Sequence, residues 1–226
     1  MLVNKVRRKK IIKLNKLKMF LVRHAESVAN VNEIVDTEVP GAPLSSIGIS
    51  QSQTLASKLR FLKGKISAIY TSPFLRAQQT ARIIAKGLGV KKNNILTDAR
   101  IKELYYGKLN GLSSSKTVKP IGLFLKKIAQ GDYQFRLGVC GENQQELLDR
   151  LYDFLIYVYK KDCGQTIIVV THSVITTVIQ KIILEALGKR EKHKSLANAE
   201  FYSVKIDEKV IRKLSGIRKS LFFSAP

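Results

Sequence analysis

The sequence predicts an α/β fold built on a mostly parallel sheet. Met19-Phe20-Leu21-Val22 and Thr166-Ile167-Ile168-Val169-Val170-Thr171 are short apolar runs without alternation, the pattern of strands buried on both faces. Between such runs stand segments with apolar residues at helical spacing, the order that βαβ units and a parallel sheet require. Ser, Pro and Gly mark the changes from one kind of segment to the other.

A chain of 226 residues, 45% of them hydrophobic, is the size of one domain with tails. No apolar run approaches the ~20 residues of a membrane span, and no apolar stretch follows the basic N-terminus as a signal peptide would need. Cys140 and Cys163 are the only cysteines, and neither has a partner at metal-ligand spacing. The expectation is a reducing, cytoplasmic setting without a disulfide framework. The net charge of +23 favours anionic ligands such as phosphates, nucleic acid or acidic membrane surfaces. Because the lysines are scattered through the whole chain, much of this charge reads as solvated surface.

In chain order, residues 1–18 form a basic arm without a single acid. The arm reads as a flexible tail. A targeting segment, a membrane-surface helix and a nucleic-acid contact are the other readings. The strand at 19–22 runs into Arg23-His24. Ser45 or Ser46 is an N-cap for a helix carrying Ile47, Leu55, Leu59 and Leu62 and ending near Gly64. A second strand spans 66–72. Ser72-Pro73 then reads as a cap followed by proline at the first helical position, opening a helix that closes at Gly87. Ile95-Leu96-Thr97 is a short strand. Residues 98–141 are irregular apart from a helix around 121–128, and a lid is expected at about 104–140. Gly141-Glu142-Asn143 opens a long helix with Leu147, Leu151, Phe154 and Val158 on one stripe. The strand at 166–171 ends in His172-Ser173, and a helix follows to about Leu187. His193 falls in a solvated charge run. The last strand is 201–206. Residues 207–226 are expected as a basic C-terminal tail with one edge strand at Val210-Ile211.

Parallel strands share one carboxyl edge, where open α/β sheets bind their ligands. Three strands deliver polar groups to that edge: Arg23-His24, Ser72-Pro73 with Arg76 behind it, and His172-Ser173. Helix starts supply free N–H groups and a positive dipole end. Two arginines and two helix starts suit a tetrahedral dianion such as a phosphoryl group. A neutral imidazole there is a competent nucleophile. The leaving alkoxide needs an acid whose pKa is raised by burial or by phosphate charge. Glu103, in the Gly-punctuated stretch Glu103-Leu104-Tyr105-Tyr106-Gly107-Lys108-Leu109-Asn110-Gly111, is the first candidate, with Glu26 and Glu142 as rivals. Tyr105 and Tyr106 read equally as pocket lining and as core.

These stretches together resemble the histidine phosphatase superfamily, in its phosphoglycerate-mutase-like branch, over about residues 19–206. Arg23-His24-Ala25-Glu26-Ser27 with Asn30 is similar to the Arg-His-Gly signature, and Pro43-Leu44-Ser45-Ser46-Ile47-Gly48 with Gln51 to the Pro-Leu-Thr segment. Thr71-Ser72-Pro73-Phe74-Leu75-Arg76-Ala77 with Gln79-Thr80-Ala81 resembles the second arginine motif, and Val170-Thr171-His172-Ser173 the second histidine motif. The Glu103 loop and Gly141-Glu142-Asn143 complete the order. The resemblance implies a three-layer α/β/α sandwich and a phosphohistidine intermediate. His24 would be the nucleophile, and Arg23, Arg76 and His172 would bind the phosphoryl oxygens with Asn30 assisting. Ser173, at the same helix start, joins the binding set. Glu103 would serve as general acid and then base. No metal and no cofactor is implied. Ala25 and Asn110 depart from the usual glycine and glutamate.

The resemblance leaves three functions in view. The first is a metal-independent phosphatase acting on small phosphomonoesters. The second is a phosphoglycerate mutase using the same intermediate. The cofactor-dependent mutases carry a Phe-Thr-Gly-Trp stretch after the nucleophile loop, and this chain contains no tryptophan. The third is a non-enzymatic phosphate- or nucleic-acid-binding relative. Specificity is expected to rest with the lid, where Lys108, Lys116, Lys119, Lys126 and Lys127 hint at an acidic or multiply phosphorylated substrate.

Overall fold

The computed structural model describes residues 16–189 and 194–223, with the side chains of the last helix described as far as 216. Most of the basic arm and His193 lie outside the described residues. Five strands form one sheet in the order β3-β2-β4-β1-β5. They are β1 (Leu17–Arg23), β2 (Ile66–Thr71), β3 (Ile95–Thr97), β4 (Thr166–Thr171) and β5 (Phe201–Ile206). All neighbouring pairs are parallel except β5, which runs antiparallel to β1 along the sheet edge.

The helices are α1 (Val28–Val31), α2 (Ser46–Lys58), α3 (Leu75–Leu88), α4 (Ser114–Ala129), α5 (Gln144–Asp162), α6 (Ser173–Ala186) and α7 (Glu208–Phe223). The two faces of the sheet follow from the strand period of two. Phe20, Val22, Ile69, Ile168 and Val170 pack with Leu55, Leu59, Ala77 and Ile84 of the α2–α3 side. Met19, Leu21, Tyr70, Ile167 and Val169 pack with Leu151, Phe154, Ile175, Ile179 and Leu214 of the α5–α6–α7 side. The fold is therefore the expected three-layer α/β/α sandwich.

Leu17 to Val22 of β1 holds five fully buried apolar side chains. Each stabilises the fold by about 1.5–3 kcal/mol, so a one-residue slip of this strand is strongly disfavoured. The resulting register sets Arg23 beside Thr171 and Thr71 beside Val170. His24, Ser72 and His172, the residues that follow these three strands, thus emerge side by side.

Five expectations are corrected. The helix behind β2 starts at Leu75, with Phe74 at the N-cap position and no side-chain cap, not at Pro73. The Ser72 hydroxyl that would have capped it lies 2.7 Å from His172 Nε2 instead. Gly87 does not end that helix; Gly89 does, in the left-handed conformation at φ 71°. Gly87 is where α3 and α2 touch, since a Cβ there would lie 2.8 Å from that of Ala56. The lid helix is longer than expected, running from Ser114 and keeping Pro120 inside it. Val210 and Ile211 belong to α7 and are buried with Leu214 against the core, so they form no edge strand. Leu17 and Lys18, assigned to the arm, are the first residues of β1.

Candidate active site

The loop after β1 is held from several sides. The Ala25 N–H donates to Thr80 Oγ1 at 3.1 Å, and Thr80 in turn donates to the Arg76 carbonyl. The Glu26 N–H donates to Gln51 Oε1, and Ser45 donates to the Glu26 carboxylate. Ser45 also caps α2 through the Gly48 N–H. Gly48 is required by close approach, because a Cβ there would fall 1.9 Å from the Glu26 carbonyl oxygen. The Ser-Ser-Ile-Gly…Gln and Gln-Thr-Ala stretches are thus the frame around His24. Ala25 is fully buried, and its φ is not positive, so the backbone does not demand the glycine it replaces.

His24 is 4% exposed. Its Nδ1 lies 2.7 Å from the Ala25 carbonyl, which can only accept, so the proton sits on Nδ1. Nε2 is then an acceptor, and it receives Arg76 Nε at 3.1 Å. Burial, and next the Arg76 charge, push the His24 pKa down to about 3, so the ring is neutral near pH 7. Arg76 is buried and fully engaged. Its Nη1 donates to Asp36 Oδ2 at 2.8 Å, its Nη2 donates to the Asp36 carbonyl at 2.8 Å, and its plane lies over the Phe74 ring.

His172 is completely buried, and its ring meets His24 edge-on at 5.0 Å between centroids. With Nε2 on Ser72, its Nδ1 has no partner. Burial holds its pKa well below the ordinary histidine value, with the Arg76 charge acting the same way. Arg23 is tied by Nη1 to the Leu196 carbonyl at 2.9 Å, and its buried Nε is unpartnered.

Arg23, His24, Asn30, Arg76, Glu103 and Ser173 line one cleft of about 140 Å³, together with Tyr106. Of the predicted set only His172 does not reach the cleft wall; it stands directly behind His24. Asn30 is fixed by the cap of α1, its Oδ1 accepting from Ser27 N at 3.1 Å. Burial raises the Glu103 carboxyl pKa above its ordinary value, opposed by the Leu104 N–H and by Arg76. The rival acids have other partners. Glu142 forms a two-bonded pair with Arg150, at 2.6 and 2.9 Å. Glu26 accepts from Ser45 and lies off the cleft wall.

Sequence reasoning missed three supporting residues. Asp36 sits in a loop without periodicity, and only its contact with Arg76 reveals it. Arg150 also donates to the carbonyls of Lys102 and Glu103 and so braces the Glu103 loop. Asn198 donates to the His24 carbonyl at 3.1 Å from beyond the 190–193 segment. Asn110 supports the site from the lid, its Oδ1 accepting from Thr37 N at 2.7 Å beside Asp36. Among the described residues no group of three or more His, Cys, Asp or Glu side chains could hold a metal ion.

The sequence profile of the histidine phosphatase superfamily, branch 1, matches residues 19–215. The chain belongs to the histidine phosphatase superfamily. Among the relatives of this superfamily member is a probable phosphoglycerate mutase GpmB of Yersinia enterocolitica. It is 28% identical over 192 residues, covering 85% of this chain and 86% of the relative. The structure called Bacillus stearothermophilus YhfR superimposes with a TM-score of 0.69 at 20% identity, covering 85% of this chain and 93% of that one. An alpha-ribazole phosphatase from Shigella flexneri gives a TM-score of 0.66 at 21% identity, covering 85% and 92%. At such identities the structural likeness of this superfamily member is one of fold. Among its described residues no helix is long and apolar enough to cross a membrane.

Proposed function

We propose that the chain hydrolyses phosphomonoesters through a phosphohistidine on His24. The observation that carries this reading is the state of the His24 ring. Its proton is fixed on Nδ1 by the Ala25 carbonyl, and the Nε2 lone pair stands at the cleft opposite an arginine N–H. Nε2 attacks phosphorus in line, the P–O ester bond breaks, and the Arg76 Nε–H passes from His24 to a phosphoryl oxygen. Arg23 Nε, unpartnered, supplies a further hydrogen bond, with Asn30 and Ser173 at the rim, while His172 packs edge-on behind His24 and orients its ring. Glu103, whose carboxyl pKa burial raises above its ordinary value, gives its proton to the leaving oxygen. As a carboxylate it then takes a proton from the water that attacks the phosphohistidine, and inorganic phosphate leaves.

The test is a panel of phosphomonoesters turned over by wild type and His24→Ala, with acid-stable and acid-labile phosphoenzyme separated by quenching. A base-stable, acid-labile phosphoenzyme in wild type alone is the expected result. Equal turnover by both proteins would overturn the reading.

Phosphoglycerate mutase is the second reading, favoured by the likeness to the probable phosphoglycerate mutase of Yersinia enterocolitica. It predicts transfer of the phosphoryl group to a phosphoglycerate acceptor with little release of inorganic phosphate. A non-enzymatic role for the fold predicts a lost catalytic group, whereas Arg23, His24, Arg76 and Glu103 all line the cleft. Contact of the basic arm with an anionic surface or nucleic acid would be additional to hydrolysis, and it predicts salt-sensitive binding that vanishes when residues 1–15, which precede β1, are removed.

A further inference from the structure

The cleft around His24, at about 140 Å³, is large enough for a phosphoryl group and a few further atoms. A second, partly open cavity of about 450 Å³ lies between α4, α5 and α6. That is the size of pockets that take a whole small ligand. Its wall is apolar, formed by Leu104, Phe124, Leu148, Val174 and Val178 among others. Tyr106 lines both spaces, so its ring stands between them. The two walls are also continuous in the chain, since Leu104 follows Glu103 and Val174 follows Ser173. Lys181, Glu185 and Gln144 interrupt the apolar lining. Gln144 Oε1 is buried there with no hydrogen-bond donor. Leaving such an acceptor unsatisfied is unfavourable by about 1–3 kcal/mol.

We propose that this cavity receives the alcohol part of the substrate, which makes the substrate class a phosphomonoester of a bulky apolar alcohol. The proposal rests on the phosphohydrolase reading above. The phosphoryl group sits on His24 and the arginines, the ester oxygen sits by Glu103, and the apolar body passes Tyr106 into the second cavity. A hydroxyl or amide N–H on that body donates to Gln144 Oε1. The apolar alcohol leaves carrying the Glu103 proton. A small polar ester, by contrast, would leave the cavity walls uncovered and Gln144 without its donor.

The test uses the full chain and a series of alkyl phosphates from butyl to decyl. Each buried methylene contributes ~0.8 kcal/mol, so kcat/KM is expected to rise up to about fourfold per carbon until the cavity is full. Val178→Phe, which fills the cavity from α6, should flatten the rise for longer chains. Gln144→Leu should improve plain alkyl phosphates and weaken those bearing a hydroxyl on the chain. A flat series in wild type, or the same rise in a folded Val178→Phe protein, would overturn the proposal. If no ester is hydrolysed at all, the phosphohydrolase reading fails separately. Calorimetric binding of decylphosphonate against methylphosphonate then still reads the cavity, and equal affinities would reject it.

Discussion

Arg76 Nε donates to His24 Nε2 across 3.1 Å, so the ring nitrogen proposed to attack phosphorus is already faced by a buried cation. A cation at that distance opposes protonation of the ring. The same guanidinium is braced by Asp36 on its other side, which fixes its plane while leaving Nε free to exchange partners. The arrangement therefore joins a neutral nucleophile to a preset anion contact.

The first prediction concerns pH. His24 has its pKa lowered from 6.5 to about 3, and His172 is lowered as well. Below 6.5 the unfolded chain takes up protons that the native chain does not, so stability falls with pH by about 1.4 kcal/mol per unit for each such group. Glu103 acts in the opposite sense. Its raised pKa lets the native chain hold a proton that the unfolded chain loses above 4.5, so its contribution declines as pH rises. Two histidines outweigh one carboxyl, and net stability should fall on acidification below about pH 6. Urea denaturation at a series of pH values should show this fall, with a shallower slope for His24→Asn. An equal slope in the variant would mean that His24 titrates normally.

The second prediction separates the two buried acids. Glu103→Gln should lower kcat/KM on alkyl phosphates by about a hundred- to ten-thousand-fold, and by less on a nitrophenyl ester whose leaving oxygen needs no proton. Glu142→Gln removes a charge from the Arg150 pair and should instead lower stability by about 1–3 kcal/mol with kcat little changed. The reverse pattern would assign the acid to Glu142.

The third prediction concerns Asp36. Asp36→Asn leaves the buried Arg76 charge without its counter-ion and should lower the melting temperature. Inorganic phosphate supplies an anion to the same guanidinium. It should therefore raise the melting temperature of Asp36→Asn by more than that of wild type. Equal shifts would show that phosphate does not meet Arg76.

The fourth prediction tests the frame. Gly48→Ala drives a methyl group into the Glu26 carbonyl and should destabilise by about 1–3 kcal/mol while reducing turnover, because the Glu26 loop continues directly from His24. Ala25→Gly, where φ is not positive, should keep turnover and reduce stability by only about 0.5–1 kcal/mol. Both are read by chemical denaturation alongside a rate assay. Gly48→Ala with wild-type stability would remove the close-contact argument.

The strands and most helices were legible in the sequence because their signals are local. Apolar runs mark β1 and β4, and Ser45 and Asn143 mark helix starts through bonds to residues three positions away. Those strands, with β2, also determined that Arg23, His24, Arg76 and His172 would share one sheet edge, since parallel strands point their carboxyl ends the same way. Tertiary structure decided what local signals cannot carry. The Ser72 hydroxyl turned from a helix cap to a histidine one hundred positions away, and Asp36 met Arg76 across forty. Glu142 rather than Glu103 went to Arg150, and Val210 and Ile211 became a packed helix once α5 and α6 offered them an apolar surface. The Ile-Val run of β4 carries its own address in its period; a single polar side chain does not, and its partner is settled only when the packed layers leave it one place to satisfy its hydrogen bond or charge.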